Sequence, residues 1–320
     1  MTEPRFDVTS FGEMLLRLSV PSGGRLEVAT NLDLDPAGAE ANVISLLARL
    51  ERRTGWFGAL PKNPLGRLAA NALMMAGADT SGTMWSETGR MGTYYVEFGV
   101  PPRGIQVTYD RAHSCTTQLR LDEIDWEALL DTRLLHLTGI TPALSSTCHQ
   151  IILEAIQKAK ARGVAVSFDV NYRQRLWTET EAEEILSPLM WDTEILFCSV
   201  MDAKRVFHCE GTAQAVAEQL LAHSRAHQLV LTLGEQGALL WTGKGWYHEP
   251  SRAAQIIDRL GAGDALAAGV IHGWLDGDIV QGLRYGATLA ALALSQCGDM
   301  VITNPAELFD LSKGGSGLTR

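Results

Sequence analysis

The chain has 320 residues, 46% of them hydrophobic, which suffices for a globular core, and its formal net charge of −10 argues against a nucleic-acid-binding protein. The longest apolar runs, such as 287–294, are too short to span a bilayer, and the N-terminus lacks a secretory signal pattern. Five scattered cysteines without a C-x-x-C pair fit reduced thiols, so we expect a cytoplasmic protein with neither nucleic-acid nor membrane partners.

Two segments of the first half, 14–36 and 90–121, contain short strand-like pieces separated by Pro and Gly turns. The pieces are LLRLSV, TYYVEFGV and IQVTYDR. Because a sheet of so few strands is hardly stable alone, we expect it to pack on the main body of the protein or on a second subunit.

From about residue 134 onward, short apolar runs alternate with longer segments of helical periodicity, which is typical of βαβ units around a parallel sheet. Ligands of such sheets bind beyond the carboxyl ends of the strands. The residues that follow each predicted strand are therefore candidates for a site. The predicted strands are 134–137, 164–168, 195–198 and 229–233, and the predicted helices are 145–162, 180–190 and 212–226.

The segment DRLGAGDALAAG, residues 258–269, combines a predicted phosphate-binding turn with a carboxylate. Gly261, Ala262 and Gly263 precede a predicted helix, where free backbone amides and the helix dipole favour an anion. Asp264 has the wrong charge for such a turn unless it takes part in chemistry, as a general base beside a transferring phosphoryl group does. The alternative is an Asp that only caps the helix.

GAGD followed by A-x-A-A-G resembles the signature of the ribokinase-like (PfkB) carbohydrate kinases, and Arg259 and Leu260 before it resemble the 2-keto-3-deoxygluconate kinase branch. Further matches extend from about Gly12 to about Pro305. The resemblance implies a three-layer α/β sandwich with a mostly parallel central sheet, formed by residues 1–311 as one kinase domain. The segments 14–36 and 90–121 would form a β-sheet lid that also joins two subunits into a dimer. The Gly- and Ser-rich residues 312–320 are expected to form a flexible tail.

The same resemblance assigns Asp264 as catalytic base and the amides of Gly261, Ala262 and Gly263 as the anion hole. It also implies a set of residues that bind an acid sugar. Arg is suited to this work because its planar fork binds a carboxylate through two hydrogen bonds. Several of these residues also have plain alternatives, such as an ordinary helix start, a turn or surface packing. The implied sugar-binding residues are Gly38, Asn42, Tyr94, Tyr109, Arg111, Ile140, Arg173 and Asp299.

LTLGEQGALLW, residues 231–241, resembles a nucleotide-adjacent stretch of the same family, with Thr232, Gly234 and Gly237 at the matching positions. Ser199 stands where many relatives have an Asn that helps to handle Mg²⁺ through water. The resemblance therefore implies ATP and Mg²⁺, with the metal held mainly by phosphates and water and no dedicated set of protein ligands.

The sequence thus predicts an ATP-dependent kinase acting on the primary hydroxyl, O6, of 2-keto-3-deoxygluconate. Two alternatives stay open at this stage. One is a kinase of neutral sugars, similar to fructokinase or ribokinase. The other is a sugar-binding regulator that kept the fold without the chemistry, because fold alone does not determine function.

Overall fold

The structure is a computed structural model that describes residues 3–100 and 102–314. Within these residues it contains thirteen strands and ten α-helices. The strands are β1 Phe6–Phe11, β2 Leu15–Ser19, β3 Asp33–Ala37, β4 Thr54–Pro61, β5 Thr83–Ser86, β6 Gly92–Glu97, β7 Gln106–Asp110, β8 Thr132–Thr138, β9 Ala165–Asp169, β10 Ile195–Ser199, β11 Gln228–Thr232, β12 Ala238–Trp241 and β13 Trp246–Glu249. The helices are α1 Ala39–Arg49, α2 Pro64–Ala76, α3 Trp126–Leu129, α4 Ser146–Ala161, α5 Glu179–Met190, α6 Val200–Val206, α7 Ala213–Ser224, α8 Ala262–Leu275, α9 Ile279–Leu294 and α10 Pro305–Ser312.

Nine strands form the central sheet in the order β13-β12-β11-β10-β9-β8-β1-β4-β5. The strands from β11 to β5 in this order all pair parallel, whereas β12 pairs antiparallel with both of its neighbours, β11 and β13, at one edge. Successive residues of β10 enter different cores, Leu196 on the side of α4, α5 and α7 and Phe197 on the side of α1, α8 and α9. Helices therefore cover both faces, and the predicted three-layer α/β fold with a mostly parallel sheet is confirmed.

A second sheet of four strands, called here the small sheet, has the order β3-β2-β6-β7. Its central strands β2 and β6 pair parallel, while β3 and β7 pair antiparallel at the edges. The three strand-like pieces of the sequence become β2, β6 and β7, so the prediction of a separate small sheet is confirmed. One face buries a compact apolar cluster that includes Leu15, Ala37, Tyr94 and Val96.

Helix α8, which begins in the Gly-rich turn, is buried along most of its length. It packs against α9 backbone to backbone, because a side chain on Gly269 or Gly273 would collide with Gly286 or Gly282 of α9. This close packing fixes the direction of α8 and hence the position of its first turn, where Asp264 lies.

At the C-terminus, α10 extends to Ser312, the first residue of the predicted tail. The remainder of the predicted tail, 315–320, lies outside the described residues. Among the helices of residues 3–100 and 102–314, none combines the length and the apolar character that a membrane crossing requires.

Candidate active site

The Gly-rich turn before α8 presents free backbone amides. Gly261 has a φ of 80°, and a Cβ added there would come within 2.5 Å of the Asp299 carbonyl oxygen, so the turn requires glycine. Within residues 3–100 and 102–314, no acceptor is found for the amides of Gly261, Ala262 and Gly263. A Cβ on Gly263 would meet open space. The turn therefore offers unpaired donors to a ligand at a helix N-terminus.

The carboxylate of Asp264 points to a neighbouring helix and does not cap its own. The side chain accepts a hydrogen bond of 2.7 Å from the Nδ2 of Asn42 in α1, while Gly261 occupies the cap position of α8. Gly38 is the N-cap of α1, one turn before Asn42, and its φ of 152° and close approach to the Glu13 carbonyl require a glycine. The helix-cap alternative for Asp264 is therefore wrong.

Burial raises the pKa of Asp264 to about 7, the Asn42 hydrogen bond acts against this shift, and the negative charge of Asp169 adds to it. Burial also raises the pKa of Asp169, at the end of β9, to about 7, although Arg173 opposes the shift. A carboxyl group with a pKa near neutrality can exchange a proton at physiological pH, which suits a general base.

A third buried carboxyl group, Glu40 in α1, was not identified from the sequence. Its Oε1 accepts hydrogen bonds from the hydroxyls of Thr138 at 2.7 Å and Thr141 at 2.6 Å. Burial raises the pKa of Glu40, and these two hydrogen bonds oppose the shift. The acidic residue in PAGAEANV was a signal, but nothing in the sequence showed that it would be enclosed.

One cavity of about 480 Å³ is lined both by predicted nucleotide-binding residues and by residues of the Gly-rich turn. Its wall includes Thr232, Gly234 and Gly237 on one side and Ala262 and Gly263 on the other, with small residues of α9 completing it. Its size and its free amides fit a nucleotide. The predicted Ser199 is absent from this wall as far as the described chain shows, and its hydroxyl instead caps α6 by accepting from the Asp202 amide at 2.9 Å.

A second cavity of about 250 Å³ lies between the small sheet and the loop after β9. Tyr109, Arg111 and Arg173, three of the predicted sugar-binding residues, line it together. Arg175 and Arg205 also line it, and Asp202 is the acidic residue in its wall. In a protein with net negative charge, this concentration of arginines makes the cavity locally suited to an anion.

Arg111 has an internal partner that the sequence did not reveal. Its Nε donates to Glu13 Oε2 at 2.8 Å, and its Nη2 also contacts the same oxygen. Both side chains are largely buried, with 10% of Arg111 and 1% of Glu13 exposed. The other carboxylate oxygen, Glu13 Oε1, is buried without a hydrogen-bond partner in the described chain.

Tyr94 and Asp299, both predicted to bind sugar, contact each other. The Tyr94 hydroxyl donates to Asp299 Oδ2 at 2.7 Å, and Arg17 Nη1 donates to Asp299 Oδ1 at 2.7 Å. Burial raises the pKa of Asp299, and Arg17 opposes the shift. Ile140 follows β8 and is buried, but it belongs to neither cavity wall in the part of the chain described.

The structure also bears on the expected metal. The described residues contain no group of three or more His, Cys, Asp or Glu side chains that could hold an ion, so a metal bound here would depend on other ligands. Asp169 and Asp202 lie close enough for the charge of Asp202 to raise the pKa of Asp169, after the larger effect of burial. Carboxyl oxygens are ligands that suit a hydrated cation.

The sequence matches the pfkB family carbohydrate kinases over residues 5–306. It is 34% identical to the 2-dehydro-3-deoxygalactonokinase of Haloferax volcanii, with 98% of this chain and 99% of that protein covered. It is 30% identical to the 2-dehydro-3-deoxygluconokinase of Bacillus subtilis, with 92% of each covered. The crystal structure of 2-dehydro-3-deoxygluconokinase from Thermotoga maritima is similar with a TM-score of 0.91 and 32% identity, over 98% of this chain and 100% of that one.

The layered sheet and these structural similarities define a ribokinase-like α/β protein. The chain belongs to the pfkB family of carbohydrate kinases.

The raised pKa of Asp264 predicts a pH-dependent stability gain for Asp264→Asn. From the ordinary value of 3.8 up to about 7, the unfolded chain releases this proton before the folded protein does, so the wild type loses stability as pH rises through that window. Asn carries no charge and can still accept from Asn42. We expect a higher Tm than wild type at about pH 8 and a vanishing difference towards about pH 4, measured by thermal denaturation.

The exposed Asp310→Asn substitution serves as the control and should leave Tm unchanged at both pH values. An Asp264→Asn variant that is less stable than wild type at the higher pH would contradict the raised pKa.

Proposed function

We propose that this protein uses ATP to phosphorylate the O6 hydroxyl of 2-keto-3-deoxygluconate. The observation that carries the proposal is the Asn42–Asp264 hydrogen bond, which holds a carboxyl group of raised pKa beside the free amides of the Gly261–Gly263 turn. The relatives named as kinases of 2-dehydro-3-deoxy sugar acids support the choice of substrate class.

In this proposal Asp264 takes the proton from the attacking sugar hydroxyl. Its pKa near 7 makes it a stronger base than an ordinary carboxylate while it stays substantially deprotonated at neutral pH. The amides of Gly261, Ala262 and Gly263 stabilise the negative charge on the oxygens of the transferring phosphoryl group. Asn42 orients the carboxylate through its Nδ2, so that one oxygen remains available to the substrate.

The nucleotide occupies the 480 Å³ cavity, with its phosphates directed towards Gly263 and the backbone near Gly234 and Gly237. When bound, Mg²⁺ neutralises charge on the phosphate oxygens. Asp169 and Asp202 would hold its water shell. Thr232 and Ser199 remain predicted contributors, Thr232 in the cavity wall and Ser199 through the position of Asp202.

The acid end of the sugar is bound by Arg111, with Tyr109 and Arg173 in the same cavity wall. A carboxylate is the ligand that this arginine-lined cavity favours, whereas a neutral sugar would leave the guanidinium groups without a charged partner. Four further predicted sugar contacts lie outside both cavity walls in the described chain and stay part of the proposal. They are Gly38, Tyr94, Ile140 and Asp299.

Asp264→Asn tests the assigned base directly. We expect kcat to fall by roughly 10² to 10⁴, because the amide cannot accept the hydroxyl proton, while nucleotide binding measured by calorimetry is retained. A coupled ADP-release assay on ketodeoxy sugar acids gives kcat, and Asp310→Asn should match wild type. Wild-type turnover in Asp264→Asn would exclude this residue as the base, and sugar binding without any ADP release by wild type would favour a regulator.

Acid recognition by Arg111 must be tested together with Glu13. Removing Arg111 alone leaves the Glu13 carboxylate buried and unpaired. Such a change costs about 3–5 kcal/mol of folding stability, so an effect on sugar binding could not be separated from it. The double variant Glu13→Gln/Arg111→Gln keeps both positions polar and uncharged. We expect the KM for the acid sugar to rise roughly 10- to 150-fold, as for the loss of a hydrogen bond to a charged group, with a much smaller change in kcat.

The matched control is Arg90→Gln/Asp110→Asn, which removes a more exposed ion pair of 2.7 Å from the same part of the chain and should leave KM unchanged. The assay uses 2-keto-3-deoxygluconate, its galacto epimer and plain ketohexoses. An unchanged KM in the Glu13/Arg111 variant, or faster turnover of ketohexoses by wild type, would favour a neutral-sugar kinase.

We also infer that the small sheet joins two subunits. Its edge strand β3 exposes Leu34, of which 41% is accessible, and Leu32 lies just before it. Two neighbouring exposed leucines at a sheet edge form an apolar surface that a second chain could cover. Light scattering should show a dimer for wild type and a monomer for Leu34→Asp, whereas Ile302→Asp, at another exposed apolar position, should remain dimeric. A monomeric wild type would contradict this inference.

A further inference from the structure

A buried arginine of the small sheet, Arg17 in β2, lies between two carboxylates. Its Nη2 is 2.6 Å from Asp258 Oδ2, and its Nη1 is 2.7 Å from Asp299 Oδ1. The side chains of Arg17 and Asp258 are each only 1% exposed. Charges enclosed to this degree interact strongly, and the loss of one partner leaves the others uncompensated.

The two carboxylates belong to the segments that hold the Gly-rich turn in place. Asp258 Oδ1 accepts from the Leu260 amide at 3.0 Å, which shapes the chain immediately before Gly261. The carbonyl oxygen of Asp299 lies so close to Gly261 that no side chain would fit between them. Arg17 therefore contacts both supports of the turn that leads to Asp264.

Two paired residues of the small sheet contact the carboxylate of Asp299. Arg17 of β2 and Tyr94 of β6 are directly opposite each other in the parallel register. Arg17 binds one oxygen of Asp299 and Tyr94 binds the other. The guanidinium carbon of Arg17 also lies 5.0 Å from the ring centre of Phe98, just beyond β6. The contact between sheet and turn is thus both polar and packed.

The charge of Arg17 also matters to a turn that must receive phosphate. The carboxyl groups of Asp258, Asp264 and Asp299 all lie around this turn, and their summed negative charge opposes an incoming anion. Nearby, burial raises the pKa of Asp35 in β3, and the charge of Arg17 acts against the shift. Arg17 supplies the compensating positive charge from inside the protein.

We propose that Arg17 is a positioning residue for phosphoryl transfer, which couples the small sheet to the catalytic turn through Asp258 and Asp299. Arg17 touches neither cavity wall and acts through these two carboxylates. The proposal rests on the proposed function, because it assigns a role in the reaction of Asp264. It makes the geometry of the anion-binding turn depend on the placement of β2.

The test is Arg17→Met, which keeps a long side chain and removes the charge. We expect kcat at saturating ATP and sugar to fall roughly 10- to 100-fold, because a displacement of about 1 Å in the reacting groups costs up to that much, with a smaller change in the KM for ATP. Arg17→Met/Asp258→Asn should recover part of the lost kcat, since it removes a carboxylate left unpaired. Arg17→Lys, which keeps the charge without the fork, is the second variant and should show a smaller loss.

The matched control is Arg52→Met. Arg52 binds Asp276 at 2.7 Å and His272 at 3.0 Å at the far end of α8, so its loss should lower Tm without changing kcat. If Arg17→Met lowers Tm in the same way and leaves kcat at its wild-type value, Arg17 is merely structural and the proposal fails. Additive effects of Arg17→Met and Asp258→Asn on kcat would also overturn it.

A measurement independent of the reaction separates this proposal from the proposed function. Hydrogen exchange of peptides covering residues 258–266, which include the bonded amides of Leu260 and Ala265, reports on the turn without any substrate. We expect faster exchange there in Arg17→Met and in Arg17→Lys, and wild-type exchange in Arg52→Met. Unchanged exchange in both Arg17 variants would overturn the coupling even if the enzyme proved to act on another sugar.

Discussion

The constraint on which the site depends is the enclosure of several carboxyl groups at one edge of the central sheet. Each would repel the others and lose hydration, so each has a specific compensating group. For four of them the compensation comes from a different element of the fold, which ties α1, α8, β8 and the small sheet together at this edge. The pairs are Asn42 with Asp264, Thr138 and Thr141 with Glu40, Arg111 with Glu13, and Arg17 and Tyr94 with Asp299.

The compensating groups of Glu13 and Asp264 differ in charge. This difference distinguishes a carboxylate that can act as a base from one with a structural role. Glu13 has the guanidinium group of Arg111, a full positive charge, as its partner. In the described part of the chain, the hydrogen-bond partner of the Asp264 carboxylate is the neutral amide of Asn42, which orients it without cancelling its charge. Burial raises the pKa of Asp264 to about 7, although the more distant charge of Arg173 opposes the shift. A full positive charge at that position would have stabilised the carboxylate and weakened it as a base. The neutral partner thus preserves basicity while fixing geometry.

The sequence predicted those parts of the site that lie in continuous motifs or follow strands. The GAGD turn, the residues around Gly234 and Arg173 could be predicted because each belongs to a continuous segment next to a strand or helix that resembles the family's sequence. Arg17 and Glu13 could not be found in this way. An arginine within LLRLSV fits the polar face of an exposed strand, yet Arg17 is enclosed because Asp258 and Asp299 cover that face. Arg17 lies 282 positions from Asp299 and Glu13 lies 98 positions from Arg111, and contacts at such separations leave no local pattern.

If Arg111 binds the acid end of the sugar as proposed, its pairing with Glu13 would help an acidic protein to select an acidic substrate. Glu13 occupies the Nε edge of the guanidinium, and no acceptor for Nη1 is found within residues 3–100 and 102–314. Glu13 therefore orients the Arg111 side chain and offsets part of its positive charge, so that the charge of Arg111 alone attracts unrelated anions only weakly. A sugar acid gains a second, geometrically matched carboxylate contact, whereas a neutral sugar leaves a buried donor unpaired. Selectivity would then come from the cost of that unpaired group more than from long-range attraction, which the net charge of −10 opposes.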